Sequence, residues 1–160
     1  MEFARMLDAF AGAVEGNDGP ALAALFTPDG VYDDGFFGPQ AGHQAIIAML
    51  QHFHEGGTRY RWEFFAPLAG EHVAYASYRF SYVSRMTGSE GRAVLFTGMS
   101  RFDLDDGLIR RYSEVFDRGV ALVQQEFAAE RIKRILQKMA ARQNEDPLCR
   151  AALGRLQQPG

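Results

Sequence analysis

Thr58-Arg59-Tyr60-Arg61-Trp62-Glu63-Phe64, residues 58–64, alternates large apolar and charged side chains. In an extended chain this places Tyr60, Trp62 and Phe64 on one side and Arg59, Arg61 and Glu63 on the other, the pattern of a half-buried strand. The same alternation returns after a turn at Pro67 to Glu71: from His72 to Arg85, Tyr78, Phe80 and Tyr82 oppose Ser77, Arg79, Ser81 and Val83. Gly88 to Gly91 reads as a hairpin loop, Arg92 to Leu104 as a third strand, Asp105-Asp106-Gly107 as a tight turn and Leu108 to Asp117 as a fourth strand. Residues 58–117 are therefore expected to form an antiparallel meander.

Upstream the period is helical. Phe3, Met6, Leu7, Phe10 and Val14 recur at steps of three and four, predicting an amphipathic helix that ends near Gly16-Asn17. Asp18 is placed to cap a short helix from Pro20 to Phe26, and Thr27-Pro28-Asp29-Gly30 is expected to turn the chain into a strand at Val31 to Asp34. Gly35 to Gly42 reads as an irregular loop carrying Phe36 and Phe37. A helix bearing Ile46, Met49, Leu50 and Phe53 follows and stops at Gly56-Gly57. Helices first and a meander after them indicate an α+β fold, not an alternating α/β one.

Beyond Asp117 a helix is expected from Glu126 to about Arg142, with Ala128, Ile132, Ile135, Leu136 and Met139 on one side, then a short one near Leu148 to Leu156. This gives a domain over residues 1–117 and a helical extension over 118–160, acting as a lid over the pocket mouth, a dimer element or plain cover. The basic side chains Arg131, Lys133, Arg134 and Lys138 read as a solvated helix exterior, with an anion or lipid site as the alternative.

The 160 residues suit one domain, and 47% hydrophobic with 23% charged residues fits a globular chain. Net charge is -3, with 17 basic and 20 acidic side chains, so no electrostatic footprint for nucleic acid is present. No apolar run reaches a membrane span, and Met1 to Arg5 lacks the build of a signal peptide, so the expected setting is cytoplasmic. Cys149, the single cysteine, has no internal partner and no activator in view. Thirteen Phe, six Tyr and one Trp exceed the ordinary need of so small a core; they point either to a lined cavity or to a sheet-helix interface and dimer face.

Two local groups could carry chemistry. In Val31-Tyr32-Asp33-Asp34-Gly35, Tyr32 and Asp34 share a side. An apolar cavity there would raise Asp34 toward a usable general base; alternatively Asp34 caps the loop. In Tyr112-Ser113-Glu114-Val115-Phe116, Glu114 sits between two aromatics and would need a partner if it faces inward, with Arg79 as the candidate; a cross-strand ion pair at a sheet edge is the other reading. His52-Phe53-His54-Glu55 cannot chelate one ion, because helix residues two apart point about 200° apart. No metal site follows, and His52 stands as a possible acid or base at a helix end. Neither a phosphate loop nor a dinucleotide fingerprint occurs, so no cofactor is expected.

The run Ala21-Leu22-Ala23-Ala24-Leu25-Phe26-Thr27-Pro28-Asp29-Gly30-Val31-Tyr32, followed by Gly42-His43-Gln44-Ala45-Ile46, resembles the SnoaL-like branch of the nuclear transport factor 2-like superfamily over about residues 3–117. That resemblance implies a cone-shaped curved sheet around N-terminal helices, a homodimer through the outer sheet face, and a pocket for a small hydrophobic molecule. Asp34 falls where ketosteroid isomerase has its proton-shuttling Asp, while that enzyme's oxyanion Tyr and protonated Asp fall at Phe10 and Ser100. Against limonene epoxide hydrolase, Tyr32 and Asp34 fall on the water-holding Tyr and Asn and Glu114 on a catalytic Asp, but the Arg-x-Asp falls at Ser81-Tyr82-Val83. Scytalone dehydratase offers a His before Gly-Gly-Thr, loosely like His52 and Gly56-Gly57-Thr58.

The expected site thus has Asp34, Tyr32, Glu114, Arg79 and His52 as chemical groups and Phe10, Phe36, Trp62, Phe96, Ser100, Tyr112 and Phe116 as walls. The expected function is a cofactor-independent lyase, isomerase, dehydratase or cyclase acting on an aromatic or polycyclic molecule. The alternative is a non-catalytic small-molecule-binding or protein-docking module of the same fold. Hydrophobic patterning turns Tyr78 and Phe80 inward, whereas the family analogies turn Arg79 inward, and the sequence leaves that choice open.

Overall fold

The computed structural model describes residues 2–157. α1 (Glu2–Glu15) and α2 (Gly19–Ala23) come first, α2 being capped by the Asp18 side chain, which accepts the Ala21 N–H at 2.9 Å. β1 (Phe26–Asp34), β2 (Gly38–Ala41) and α3 (His43–Glu55) precede four long strands: β3 (Gly57–Ala69), β4 (Val73–Ser84), β5 (Ala93–Asp105) and β6 (Leu108–Phe116). Helices α4 (Arg118–Gln124), α5 (Ala129–Glu145) and α6 (Pro147–Leu156) close the described chain.

The six strands form one sheet in the order β2-β1-β6-β5-β4-β3. The meander β3 to β6 is antiparallel as patterned, but β1 joins β6 in parallel, so the sheet is mixed. Two stretches read as loop are strand. Gly38–Ala41 pairs with Val31–Asp34 as β2, and Thr27 to Gly30 stays within β1 as a bulge where its register on β6 shifts. A further short helix, α4, lies between β6 and the helix expected from Glu126. Register breaks in β3 and near Asp103 and Leu104 bend the sheet into the curved cone of an α+β fold, with β2 and β3 as unpaired edges, so it does not close.

The concave face meets α1 and α3. Phe3, Leu7, Phe10 and Val14 of α1 and Ile46, Met49 and Leu50 of α3 are buried against Trp62, Tyr78, Phe80, Phe102 and Tyr112 of the sheet. The choice left open by patterning is decided by area: Tyr78 and Phe80 are 0% and 3% exposed and face the core. Arg79 accordingly points outward. It pairs with Glu63 at 3.5 Å and lies over the Phe65 ring on the convex face, so it cannot serve Glu114.

Candidate active site

Asp34 ends β1 and is buried. Its Oδ1 accepts the backbone N–H groups of Phe36 at 2.7 Å and Phe37 at 2.8 Å, which folds residues 35–37 into the turn between β1 and β2. The loop-capping role is therefore present, and Oδ2 accepts no hydrogen bond among the described residues. Burial pushes the Asp34 carboxyl above its ordinary range, while the two backbone bonds and the Arg118 cation pull it back. Asp33, on the opposite side of the strand, pairs with Arg111 of β6.

Glu114 reaches the same place from β6. Its Oε1 accepts the Gly35 N–H at 3.1 Å, and its Oε2 accepts the hydroxyls of Tyr78 at 2.9 Å and Tyr112 at 3.1 Å. Part of the residue remains at the surface, but both tyrosines that enclose its carboxylate are completely buried. Burial first, and the neighbouring Asp34 charge second, raise Glu114 to about 7 against the pull of its three donors. Ser100 Oγ lies 3.0 Å from the Tyr112 hydroxyl, extending the chain of hydroxyls behind Glu114. Burial, reinforced by the Glu114 charge, raises Tyr32, Tyr78 and Tyr112, which keeps all three phenols protonated and able to donate.

Between these groups and α3 lies a cavity lined by Tyr32, Asp34 and Glu114 at its polar end and by Phe36, Met49, Phe53, Trp62, Phe80 and Phe96 elsewhere. Its side chains leave about 20 Å³, room for about one ordered water. A wider groove of about 400 Å³ adjoins it beneath α4 and α5, sharing Phe36, Phe53, Phe80 and Phe96 as a collar. Trp62 Nε1 is buried without a hydrogen-bond partner among the described residues, amid the rings of Phe10, Tyr78 and Phe80.

The structure thus brings together Asp34, Tyr32, Glu114, Phe36, Trp62 and Phe96. Phe10, Ser100, Tyr112 and Phe116 stand one layer back: Phe10 packs on Tyr32 and Trp62, and Phe116 stacks on Phe96 at 4.5 Å. His52 is not in the cavity. It is largely exposed and bonds Glu55 at 2.9 Å, with its ring 5.1 Å from Phe37 at the rim, because its helix turn faces solvent. Tyr78 takes the partner role expected of Arg79. The β4 alternation did signal it as inward, but its reach to Glu114 depends on Gly98 opposite. Arg118, whose Nε donates to the Gly35 carbonyl at 2.7 Å, belongs to no pattern in the sequence.

The model of the SnoaL-like domain matches residues 4–112. No curated protein matches the chain significantly by sequence. Among solved structures, the chain is similar to a Catenulispora acidiphila protein with a ketosteroid isomerase-like fold, in complex with trimethylamine, at 15% identity and TM-score 0.70 over 78% of this chain and 95% of that one. It is also similar to an LEH-like epoxide hydrolase of M. tuberculosis, at 18% identity and TM-score 0.63 over 88% and 96%. A candidate polyketide cyclase of Xanthomonas campestris gives 20% identity and TM-score 0.66 over 78% and 96%. At these identities the structures attest the fold alone. With the family model spanning α1 to α3 and nearly all of the sheet, the chain belongs to the SnoaL-like domain family.

Proposed function

We propose that this protein is an acid-base enzyme, of the lyase, isomerase, dehydratase or cyclase type, acting on a small apolar molecule with its own carboxyl groups and no metal or organic cofactor. The observation that carries this reading is the pairing of Asp34 and Glu114 at the polar end of an otherwise aromatic cavity. Two neighbouring carboxyls, both raised by burial, resist being charged together, so one can serve as base while the other serves as acid. Asp34, with Oδ2 free, takes a proton from a carbon beside a substrate carbonyl. The electron pair moves onto the carbonyl oxygen, where Tyr32 donates a hydrogen bond, and protonated Glu114 returns a proton at a second position. Tyr78 and Tyr112, both bonded to Oε2, hold the Glu114 carboxyl group in place.

A second reading, a non-catalytic binding module, is favoured by one observation: the cavity is nearly filled by the protein's own side chains. The raised Asp34 counts against it. Aromatic and polyketide-like compounds tested by thermal shift against wild type and Asp34→Asn, with mass analysis of the mixtures, separate the two. Asparagine can keep the Oδ1 bonds to Phe36 and Phe37, so the enzyme reading expects binding by both forms and conversion by the wild type alone. Conversion by Asp34→Asn at the wild-type rate would remove Asp34 as the base. We also infer a cytoplasmic homodimer, with the convex sheet face as the interface; no described helix is long and apolar enough to cross a membrane.

A further inference from the structure

A second groove, of about 500 Å³, opens beside the cavity and shares Asp34 and Phe36 with it. One wall is the β1–β2 turn; the other is α5 with Ile135 and Met139, and Arg118, Lys138 and Arg142 face the space between. Among the described residues none of these three cations lies within ion-pair distance of a carboxylate. Asp33 also borders the groove, but Arg111 already neutralises it. Arg142 is seated against Gly38, its guanidinium nitrogen 2.9 Å from where a β-carbon would stand, so a side chain at that position would displace it. A chain with net charge -3 thus gathers two cations without a carboxylate partner, Lys138 and Arg142, at the mouth of its site, beside Arg118, which already bonds the Gly35 carbonyl and acts on the Asp34 charge. α5 has no buried residue, so the stability of the core does not explain Lys138 and Arg142.

We propose that this groove is an anion subsite and that the site takes an aromatic carboxylic acid whose carboxylate lies close to its reacting carbon. The reacting group would sit at Asp34 and Glu114, the carboxylate among Arg118, Lys138 and Arg142, and the ring system in the collar of Phe36 and Phe80 under α5. Asp34 on the opposite wall weighs against a dianion such as a phosphate monoester. The proposal rests on the cavity being the ligand site, as set out above.

Three probes of one shape test it: 1-naphthylacetate, 1-naphthaleneethanol and 1-naphthaleneethylammonium. Trp62, the sole tryptophan, lines the cavity and reports binding by quenching. At low salt the acid is expected to bind about tenfold more tightly than the alcohol, the combined effect of a few partly screened charge contacts. The ammonium should bind most weakly, and added salt should erode the preference. Lys138→Gln with Arg142→Gln should abolish the preference while leaving alcohol binding unchanged. Lys133→Gln, on the exposed face of the same helix, should preserve it.

Equal binding of acid and alcohol, or a preference that survives the double substitution, overturns the subsite alone. A preference lost equally with Lys133→Gln reduces it to the general field of α5 and likewise overturns it. Failure of all three probes to quench Trp62 overturns the cavity reading and the subsite with it.

Discussion

The Tyr78 ring lies across Gly98 of the neighbouring strand and delivers its hydroxyl to the Glu114 carboxylate at 2.9 Å, two strands away. That bond favours the charged form of Glu114, which burial otherwise opposes. Tyr78→Phe removes the donor and keeps the ring. Glu114 should then titrate above its present value of about 7, with a stability loss at neutral pH of about 1 to 3 kcal/mol, the range for hydrogen bonds to charged groups. Carbon-13 titration of labelled glutamate side chains, in wild type and variant, reads the direction; a downward shift contradicts the assignment.

Gly98 is the space that makes this bond possible. A β-carbon there would stand 2.6 Å from the Tyr78 ring and 2.6 Å from the Val115 carbonyl oxygen, and neither neighbour can yield without moving the sheet. Gly98→Ala should cost about 1 to 3 kcal/mol by overpacking and release Tyr78 from Glu114. Its Glu114 titration should therefore move the same way as in Tyr78→Phe, and an unchanged titration with full stability would show that Tyr78 reaches Glu114 without this gap.

The raised carboxyls give stability an unusual pH dependence. Glu114 ionises near its ordinary 4.5 when unfolded and near 7 when folded, so between these values the folded chain holds a proton that the unfolded chain has released. The stability tied to that proton is complete below about 4.5, falls as pH rises to about 7, and is flat above, where both states are ionised; the slope is at most about 1.4 kcal/mol per pH unit. Asp34, also raised, acts in the same direction. Urea unfolding at several values from pH 5 to 8 should show declining stability, and Asp34→Asn should flatten the decline by removing one carboxyl and the charge that lifts the other.

The helices other than α4, the four-strand meander, and the sides that Asp34 shares with Tyr32 and Glu114 with its flanking aromatics were legible because each rests on local periodicity; only the family resemblance put the two acids in one pocket. Tyr60, Trp62 and Phe64 announce their face by alternation, and Tyr112, Glu114 and Phe116 do the same. What periodicity cannot carry is pairing between distant segments. β2 is strand because Val31–Asp34 offers it an edge, and Gly38 and Pro39 give no strand signal of their own. Arg79 looked suited to Glu114 by charge, yet burying the Tyr78 face outweighs exposing it, and an arginine that pairs with Glu63 outside costs nothing to leave there. Arg118 became visible only when the turn after Asp117, which caps α4, returned the chain toward Gly35.

The convex face carries Phe65, Tyr75, Met99 and Val115, the last 76% exposed, around a shallow depression. Apolar side chains gathered there on strands that are already paired fit an interface between two copies. The homodimer proposed above would use this face, so the wild type should sediment as a dimer and Val115→Asp as a monomer, while the Asp34 and Glu114 cavity still takes ligand. An unchanged sedimentation coefficient would locate any self-association elsewhere.

The extension after β6 divides at Gln125. α4 belongs to the core: Ala121 and Leu122 are 0% and 3% exposed, the Gln124 side chain bonds both the N–H and the carbonyl of Leu95 at 2.8 Å, and Gln125 bonds the Tyr82 hydroxyl. α5 and α6 contribute no buried residue. Ending the chain after Ala128 should therefore shift the melting temperature by only a few degrees, whereas ending it after Asp117 removes Leu122 and strands Tyr82, for a loss of about 3 to 5 kcal/mol. If α5 only covers the core, the shorter protein ending at Ala128 should bind naphthyl acid and alcohol in the wild-type ratio. If α5 is the wall that carries Lys138 and Arg142 over the site, that protein should fold normally, bind the alcohol more weakly and show no preference for the acid.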